Sequence, residues 1–402
     1  MSGRRVVLVG AFDRFNFGDL LFPAVTRWAL ERLGVEARFE HAALRAADLR
    51  DRGGVLTRSL GELEQSPLPA GSAAVLAGGE VLAARWLDAR MGLVAPGDSF
   101  RLKLMARLLG RETMDRRSRR ALAGGHPLPW VLAPVDLGAG VRVAYNAVGG
   151  VGLGDLPDEL QAAARHRLAA ADYLSVRDPE ARAVLDGWKL PRQVHLAPDP
   201  AALVAQAFPA AQLADRRSAT AARALARCGQ AYVAVQAGRY PTLGRVRAVA
   251  RQLRRLHHAS GLPVLLVPLG QAAGHDDHVP LARLSQLLGD LPTVLVERPA
   301  VTDILDLIAS ARLFLGTSLH GNLTALAYGV PRVGFGHRVA KLDCFLRTWD
   351  PLQEAGTTAE HQLAAAAKVA LAAGPADLAS ASARLSSASW ENFQRLAAAI
   401  AG

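Results

Sequence analysis

Short apolar runs in this chain alternate with longer stretches in which apolar residues recur every three or four positions. The runs at 4–9 (RRVVLV), 73–76, 141–148, 173–176 and 194–197 read as buried strands, and the stretches at 20–33, 156–171 and 179–188 as helices. Such alternation builds βαβ units around a parallel sheet. Between about 199 and 230 the chain is Ala-rich and shows no strand pattern. The alternation then restarts, with strands at 232–236, 264–268, 293–297, 313–316 and 333–335 and helices over 243–258 and around 279–288. Val301, Ile304, Leu305 and Ile308 recur at helical spacing and predict one more helix. From about Thr357 the chain reads as Ala-rich helix to its end, with Trp390 and Phe393 as anchors. The expected fold class is α/β, with two doubly wound, Rossmann-like domains facing across a cleft and a C-terminal helix crossing back to the first. The domains are expected at 1–200 and 231–356, joined by a linker at 201–230 and followed by a helical segment at 357–402.

Composition agrees with two domains: 402 residues, half of them hydrophobic and 21% charged, supply ample core. There is no run of about 18 apolar residues and no leader-like apolar start, so neither a membrane span nor a signal peptide is expected, and a cytoplasmic location is the default. Cys228 and Cys344 have no metal-ligand spacing and make no disulfide framework. The net charge of +11 is almost all arginine, the only lysines being Lys103, Lys189, Lys341 and Lys368. Its densest cluster, 111–120 (RETMDRRSRR), reads first as an exposed loop, and second as a peripheral contact for anionic membrane lipid or an acidic glycan. No aromatic residues interleave with these cations, so nucleic acid is not an expected partner.

The most informative stretch is 313–336 (LFLGTSLHGNLTALAYGVPRVGFG). Gly316-Thr317-Ser318 suits a strand-to-helix turn, with Thr317 or Ser318 capping the helix and Gly329 then Pro331 ending it. His320 and Asn322 then fall in the first helical turn, where free N–H groups and the helix dipole favour an anion. At the carboxyl end of a parallel strand, this is where α/β sheets bind ligands. Three further loops follow strands: Asn16-Phe17-Gly18-Asp19, Gly78-Gly79-Glu80, and Gly149-Gly150-Val151-Gly152. None has the form G-x-G-x-x-G or a Walker sequence, which argues against dinucleotide and P-loop binding. Asp19 and Glu80 are either general bases for a hydroxyl or a helix cap and a surface acid. Asp178 before Pro179 is a cap followed by an N1 proline, with Arg177 directed to the same rim. From the second half, Arg239 faces that rim, and Glu297-Arg298 is either a rim pair or surface charge. His275-Asp276-Asp277-His278 reads as a helix start capped by Asp276 rather than a metal site, and no metal is expected.

On Asn16-Phe17-Gly18-Asp19, Gly78-Gly79, Ser175-Val176-Arg177-Asp178 and Leu319-His320-Gly321, in this order over nearly the whole chain, the sequence resembles the polysaccharide pyruvyl transferase family. The resemblance implies two Rossmann-like domains in a GT-B-like arrangement. It also implies transfer of the pyruvyl group of phosphoenolpyruvate to two hydroxyls of a sugar, as a cyclic ketal, in surface-polysaccharide assembly. The acceptor would be a nucleotide-, lipid- or oligosaccharide-linked sugar, with no metal or redox cofactor. Carried over by position, His320 is the catalytic or donor-binding histidine, and Asp19 its catalytic partner. Arg239, Arg298, Ser318, Leu319, Gly321 and Asn322 belong to the donor side. Asn16, Gly18, Gly78, Gly79, Glu80 and Arg177 belong to the acceptor side. One position departs from the family pattern: members often carry Arg two residues before the histidine, and here that residue is Ser318. Loss of one charged hydrogen bond costs roughly 1.5–3 kcal/mol unless replaced, with Arg239, Arg298 or Arg338 as replacements. The rival readings are a GT-B glycosyltransferase using a nucleotide sugar and a non-catalytic homologue. All rest on one geometric expectation, that the His320 helix tip faces the Asn16–Asp19 turn across a gap that holds donor and sugar.

Overall fold

Apolar runs that are buried on both faces make the central strands of the two sheets. The computed structural model describes residues 4–272, 276–337 and 339–401. The first sheet contains β1 (Arg5–Val9), β2 (Arg38–Ala43), β3 (Ala47–Asp48), β4 (Leu56–Ser59), β5 (Ala73–Ala77), β6 (Arg142–Val148), β7 (Tyr173–Val176) and β8 (His195–Leu196). Its order is β3-β4-β2-β1-β5-β6-β7-β8, parallel except for the β3–β4 edge. The second sheet contains β9 (Val233–Gln236), β10 (Val264–Leu266), β11 (Thr293–Leu295), β12 (Leu313–Gly316) and β13 (Arg332–Gly334), all parallel, in the order β11-β10-β9-β12-β13. Strand order reverses between β1 and β5 in one sheet and between β9 and β12 in the other. At such a reversal the flanking loops diverge to opposite faces and leave a crevice at the carboxyl ends of the strands. The α/β architecture of two Rossmann-like lobes is the expected one.

The lobes are packed together. Helix Phe17–Arg32 of the first lobe lies against helices Val301–Ala309 and Leu319–Ala327 of the second, and one hydrophobic cluster runs from Val6 and Phe22 through Phe314 and Leu323. Helix Pro375–Ala401 then returns across the first lobe, burying Phe393 and Ile400. Its register is pinned by polar groups: the Tyr173 hydroxyl donates to Asn392 Oδ1 at 2.7 Å, and Asn392 Nδ2 donates to Asn146 Oδ1 at 2.6 Å.

Some elements differ from expectation. Helix Phe17–Arg32 begins three residues earlier than the pattern predicts, because Gly18 and Asp19 are drawn into its first turn instead of a loop. β2 and β4 have no predicted counterpart, being half polar (RFEHAA and LTRS). The 111–120 cluster is not a loop: helix Arg111–Ala121 buries Met114 and Ser118 against the neighbouring helices Trp86–Met91 and Pro96–Leu109. The tail is two helices, Leu363–Leu371 and Pro375–Ala401, separated by a turn at Gly374. Trp390 is half-buried, its ring centroid 5.6 Å from that of Trp28. Among the described residues no single helix is long and apolar enough to cross a membrane.

Truncating Asn392 removes the 2.7 Å acceptor of the buried Tyr173 hydroxyl and the donor to buried Asn146 Oδ1. Asn392→Ala is therefore expected to lower stability by about 1–3 kcal/mol, measured by urea unfolding, with the terminal helix the first region to lose amide protection in hydrogen exchange.

Candidate active site

The site is assembled around one amide side chain. Gln236, the last residue of β9, is buried, and its Oε1 accepts from the Thr317 and Ser318 N–H groups at 3.0 and 2.8 Å. Its Nε2 donates to Asp277 Oδ2 at 2.9 Å. The β12 turn is thus tied to β9 across the reversal point. Ser318 is the N-cap of helix Leu319–Ala327, its hydroxyl accepting from the Gly321 N–H. The next two amides, of Leu319 and His320, have no protein acceptor among the described residues. They are the free positive end of the helix.

His320 lies at the junction of the lobes. A Cβ placed on Gly18 would sit 2.0 Å from His320 Nδ1, so the imidazole rests directly on the backbone of the Asn16–Asp19 turn, where only glycine fits. The Phe22 ring meets it edge-on with centroids 5.3 Å apart. On its other side His320 Nε2 is 3.5 Å from Asp199 Oδ2. Asp199 is inaccessible to water and also accepts from Arg177 Nη1 at 2.6 Å and from the Ala201 N–H at 3.0 Å. Burial alone would raise its carboxyl, but His320, then Arg177 and the Ala201 amide, hold it below the usual carboxylate range. Arg177 continues the chain to Glu80, donating from Nη2 to Oε2 at 2.8 Å. Burial would lower the guanidinium, and the two carboxylates outweigh that, so it stays firmly charged. Glu80 Oε1 meanwhile accepts from the Val151 N–H at 2.9 Å.

Between the lobes, the carboxyl ends of β1, β9 and β12 enclose a cavity of ≈ 250 Å³. Asn16, Arg239, Tyr240, Ser318, Leu319, His320, Asp277 and Lys341 line it. Arg239 Nη1 donates to Asp276 Oδ2 at 3.0 Å. The Asp277 carboxylate points inward, and its Oδ2 also accepts from the Leu269 and Gly270 N–H groups. Burial pushes its pKa up to about 6, against those hydrogen bonds. The rim therefore combines a guanidinium, an ammonium, a hydroxyl, two free amides and an imidazole around a small space, a set whose chemistry suits a compact anion with more than one charged group.

Several predicted residues take other positions. Asn322 is fully buried, its Nδ2 donating to the Gly316 and Ser318 carbonyls, so it braces the turn and does not face the cavity. Gly321 is needed for packing, since a Cβ there would lie 2.4 Å from the Phe314 ring. Arg298 follows the edge strand β11, is exposed, and lies away from the cavity because β11 is remote from the reversal point. Glu80 and Arg177 are consumed by their mutual ion pair, beside a minor pocket that shares Leu319 and Lys341 with the main one. Asp19 is buried and accepts from Asn16 Nδ2 at 2.7 Å. Gly78 and Gly79 have φ of +79° and +86°, and Gly78 packs on Phe22. Asp276 is not the helix cap expected of it: its carboxylate pairs with Arg239, and Asp277 stands at the cap position of helix His278–Leu287. His275 and Arg338 lie outside the described residues. The gap across which donor and sugar were both expected is closed at Gly18, where the lobes touch, and the cavity lies to one side of it, lined by Arg239 and the exposed Tyr240. Asp199, Gln236, Asp277, Tyr240 and Lys341 have no place in the sequence-derived set. Asp199 carries a faint signal, an Asp before Pro200 just after a strand, as Asp178 stands before Pro179.

Gly18→Ala is expected to displace the imidazole and cost about 1–3 kcal/mol, read as a shift of the His320 ring resonances and a lower melting temperature. Gly61→Ala, with nothing within 4 Å of the new Cβ, should do neither. Asp277 binds its proton more tightly in the native than in the unfolded chain, so its contribution to stability falls as pH rises from about 4 to about 6. Asp277→Asn should flatten the pH dependence of the melting temperature over that window, by ~2–3 kcal/mol in total.

The sequence profile described as polysaccharide pyruvyl transferase matches residues 16–338, from the Asn16 turn to beyond the His320 helix. No curated protein sequence matches the chain. Among solved structures, the UDP-GlcNAc 2-epimerase from Methanocaldococcus jannaschii is similar over 92% of each chain, with a TM-score of 0.54 at 11% identity. The putative UDP-N-acetylglucosamine 2-epimerase from Listeria monocytogenes is similar over 96% of this chain and 92% of its own, with a TM-score of 0.53 at 12% identity. At that identity the likeness speaks for the fold alone, a GT-B-like pair of Rossmann-like lobes. With the profile covering most of its length, the chain belongs to the polysaccharide pyruvyl transferase family of transferases.

Proposed function

We propose that the chain transfers the pyruvyl group of phosphoenolpyruvate to two hydroxyls of a sugar, forming a ketal and releasing phosphate. The observation that carries this reading is the inter-lobe cavity, whose ≈ 250 Å³ and ring of Arg239, Lys341, Ser318 and the Leu319 and His320 amides suit a small dianionic or trianionic donor. The cations gathered around so small a space suit a compact, highly charged donor better than a nucleotide sugar, which argues against the glycosyltransferase reading. Lys341 supplies a fixed charge where the Arg of the family pattern is replaced by Ser318.

In this reading the phosphate and carboxylate of the donor lie between Arg239, Lys341 and the helix tip. His320, which lines the cavity and whose Nε2 makes no hydrogen bond among the described residues, delivers its Nε2 proton to the terminal methylene carbon, which becomes a methyl group and leaves an oxocarbenium at the adjacent carbon. A sugar hydroxyl adds to that carbon and returns a proton to His320. The carbon–oxygen bond to phosphate then breaks, and a second hydroxyl closes the ketal and gives up its own proton. Of the two hydroxyl protons, one replaces that spent on carbon and the other leaves with phosphate. The sugar enters from the open side near Tyr240, since the wall at Gly18 is closed.

The test is incubation with phosphoenolpyruvate and a panel of nucleotide-, lipid- and oligosaccharide-linked sugars. Phosphate release should require both substrates. His320→Gln should lower kcat by about 10²–10⁴-fold, and Arg239→Ala should raise KM for the donor about tenfold with kcat less affected. No acceptor-dependent phosphate with any sugar, or turnover of a nucleotide sugar instead, would reject the assignment.

A further inference from the structure

The helical insertion between β5 and β6 carries a surface that the transfer chemistry does not use. Helix Pro96–Leu109 is anchored to the body along one face, by Ser99, Leu102 and the half-buried Ala106, packed with Leu87 and Met114. On the opposite face Phe100, Leu104 and Leu108, spaced four apart, are 69%, 48% and 75% exposed, with Met105 and Leu109 beside them. Soluble surfaces rarely leave such a contiguous stripe uncovered. Arg101, Lys103 and Arg107 flank the stripe on the same helix, and Arg116, Arg117 and Arg120 are exposed on the helix that follows. From 96 to 121 there are eight basic residues against three acidic ones. Arg107, Arg117 and Arg120 have no carboxylate within ion-pair distance among the described residues.

Charge decides what covers this face. A second copy of the chain would bring one basic helix pair against another, and an acidic glycan would leave the stripe in water. An anionic bilayer satisfies both halves, taking the apolar side chains at the acyl boundary and the arginines at the lipid phosphates. The position is also informative: Lys103 Nζ donates to the Tyr240 hydroxyl at 2.9 Å and lies 5.1 Å from the centre of its ring, and Tyr240 lines the open side of the cavity.

We propose that helix Pro96–Leu109 docks this protein on anionic membrane, with Phe100, Leu104 and Leu108 inserted and Arg101, Arg107, Arg117 and Arg120 on the phosphates. The bound orientation brings the open side of the inter-lobe cavity to the bilayer surface. Delivery of a lipid-linked acceptor there rests on the proposed function; the docking itself does not.

The experiment is flotation of the full chain with phosphatidylcholine vesicles, with and without phosphatidylglycerol, at low and high salt. The wild-type chain should float with the anionic vesicles, less at high salt, and remain in solution with the neutral ones. F100S/L104S/L108S should weaken flotation about tenfold or more, with unchanged melting temperature and, on a soluble acceptor, unchanged phosphate release. R107E/R117E/R120E should remove the salt-dependent part. Failure of the wild-type chain to float, or equal flotation of the apolar variant, would overturn the proposal. A concentration-dependent dimer abolished by F100S/L104S/L108S, without vesicle binding, would assign the stripe to a second copy and overturn it as well. Because flotation needs neither donor nor acceptor, its result is independent of the pyruvyl-transfer assay.

Discussion

A carboxylate with no access to water holds the two lobes in register. Asp199 receives Arg177 from the first lobe and stands 3.5 Å from His320 Nε2 of the second. An isolated buried carboxylate is costly by several kcal/mol, and only well-aligned partners offset it. Arg177 would be equally costly alone, and Glu80 completes its environment. The chain Glu80–Arg177–Asp199–His320 therefore stands or falls as a unit, and its carboxylate end positions an imidazole at the lobe boundary. Gly18 sets the limit from the other side, since any larger residue would displace the ring.

Gln236 does the same for the turn that bears the histidine. Its carbonyl takes up the Thr317 and Ser318 amides, so these two groups are committed to the scaffold, and the ligand is left with Leu319 and His320. The division is economical in space: amides that would otherwise spread over a wide mouth are narrowed to a helix tip above a small cavity. Asp277, buried beneath Gln236, is held by three N–H donors and still has a raised pKa. The cavity floor therefore changes its charge in weakly acidic solution.

The site also shows how one lost charge is absorbed. Ser318 removes the arginine of the family pattern from the helix tip and in exchange caps the helix through its hydroxyl. Positive charge reaches the cavity instead from Arg239, after β9, and Lys341, at the start of helix Ala340–Trp349. Both are drawn from outside the His320 motif, so that motif alone accounts for only part of the cavity's positive charge.

The sequence by itself determined the layered α/β plan. Short, mostly apolar runs such as 5–9, 233–236 and 313–316 fit a parallel sheet covered on both faces, and Gly329 and Pro331 stop a helix by local sterics. It also determined that His320 sits in the first turn of a helix capped by Thr317 or Ser318, because capping involves neighbours three residues apart, and the structure gives the cap to Ser318. Local patterns failed where burial was mixed, as in β2 and in helix Arg111–Ala121, whose stabilising faces are set by distant partners. Only the tertiary structure decided which residues meet across the lobes. Asp199 lies 121 positions from His320, and Lys103 lies 137 from Tyr240. Asn322, two residues after the histidine and read as a ligand, faces inward instead. The physical reason is that a side chain's role at such a boundary depends on what it faces, and facing is fixed by packing between elements, which no single segment encodes.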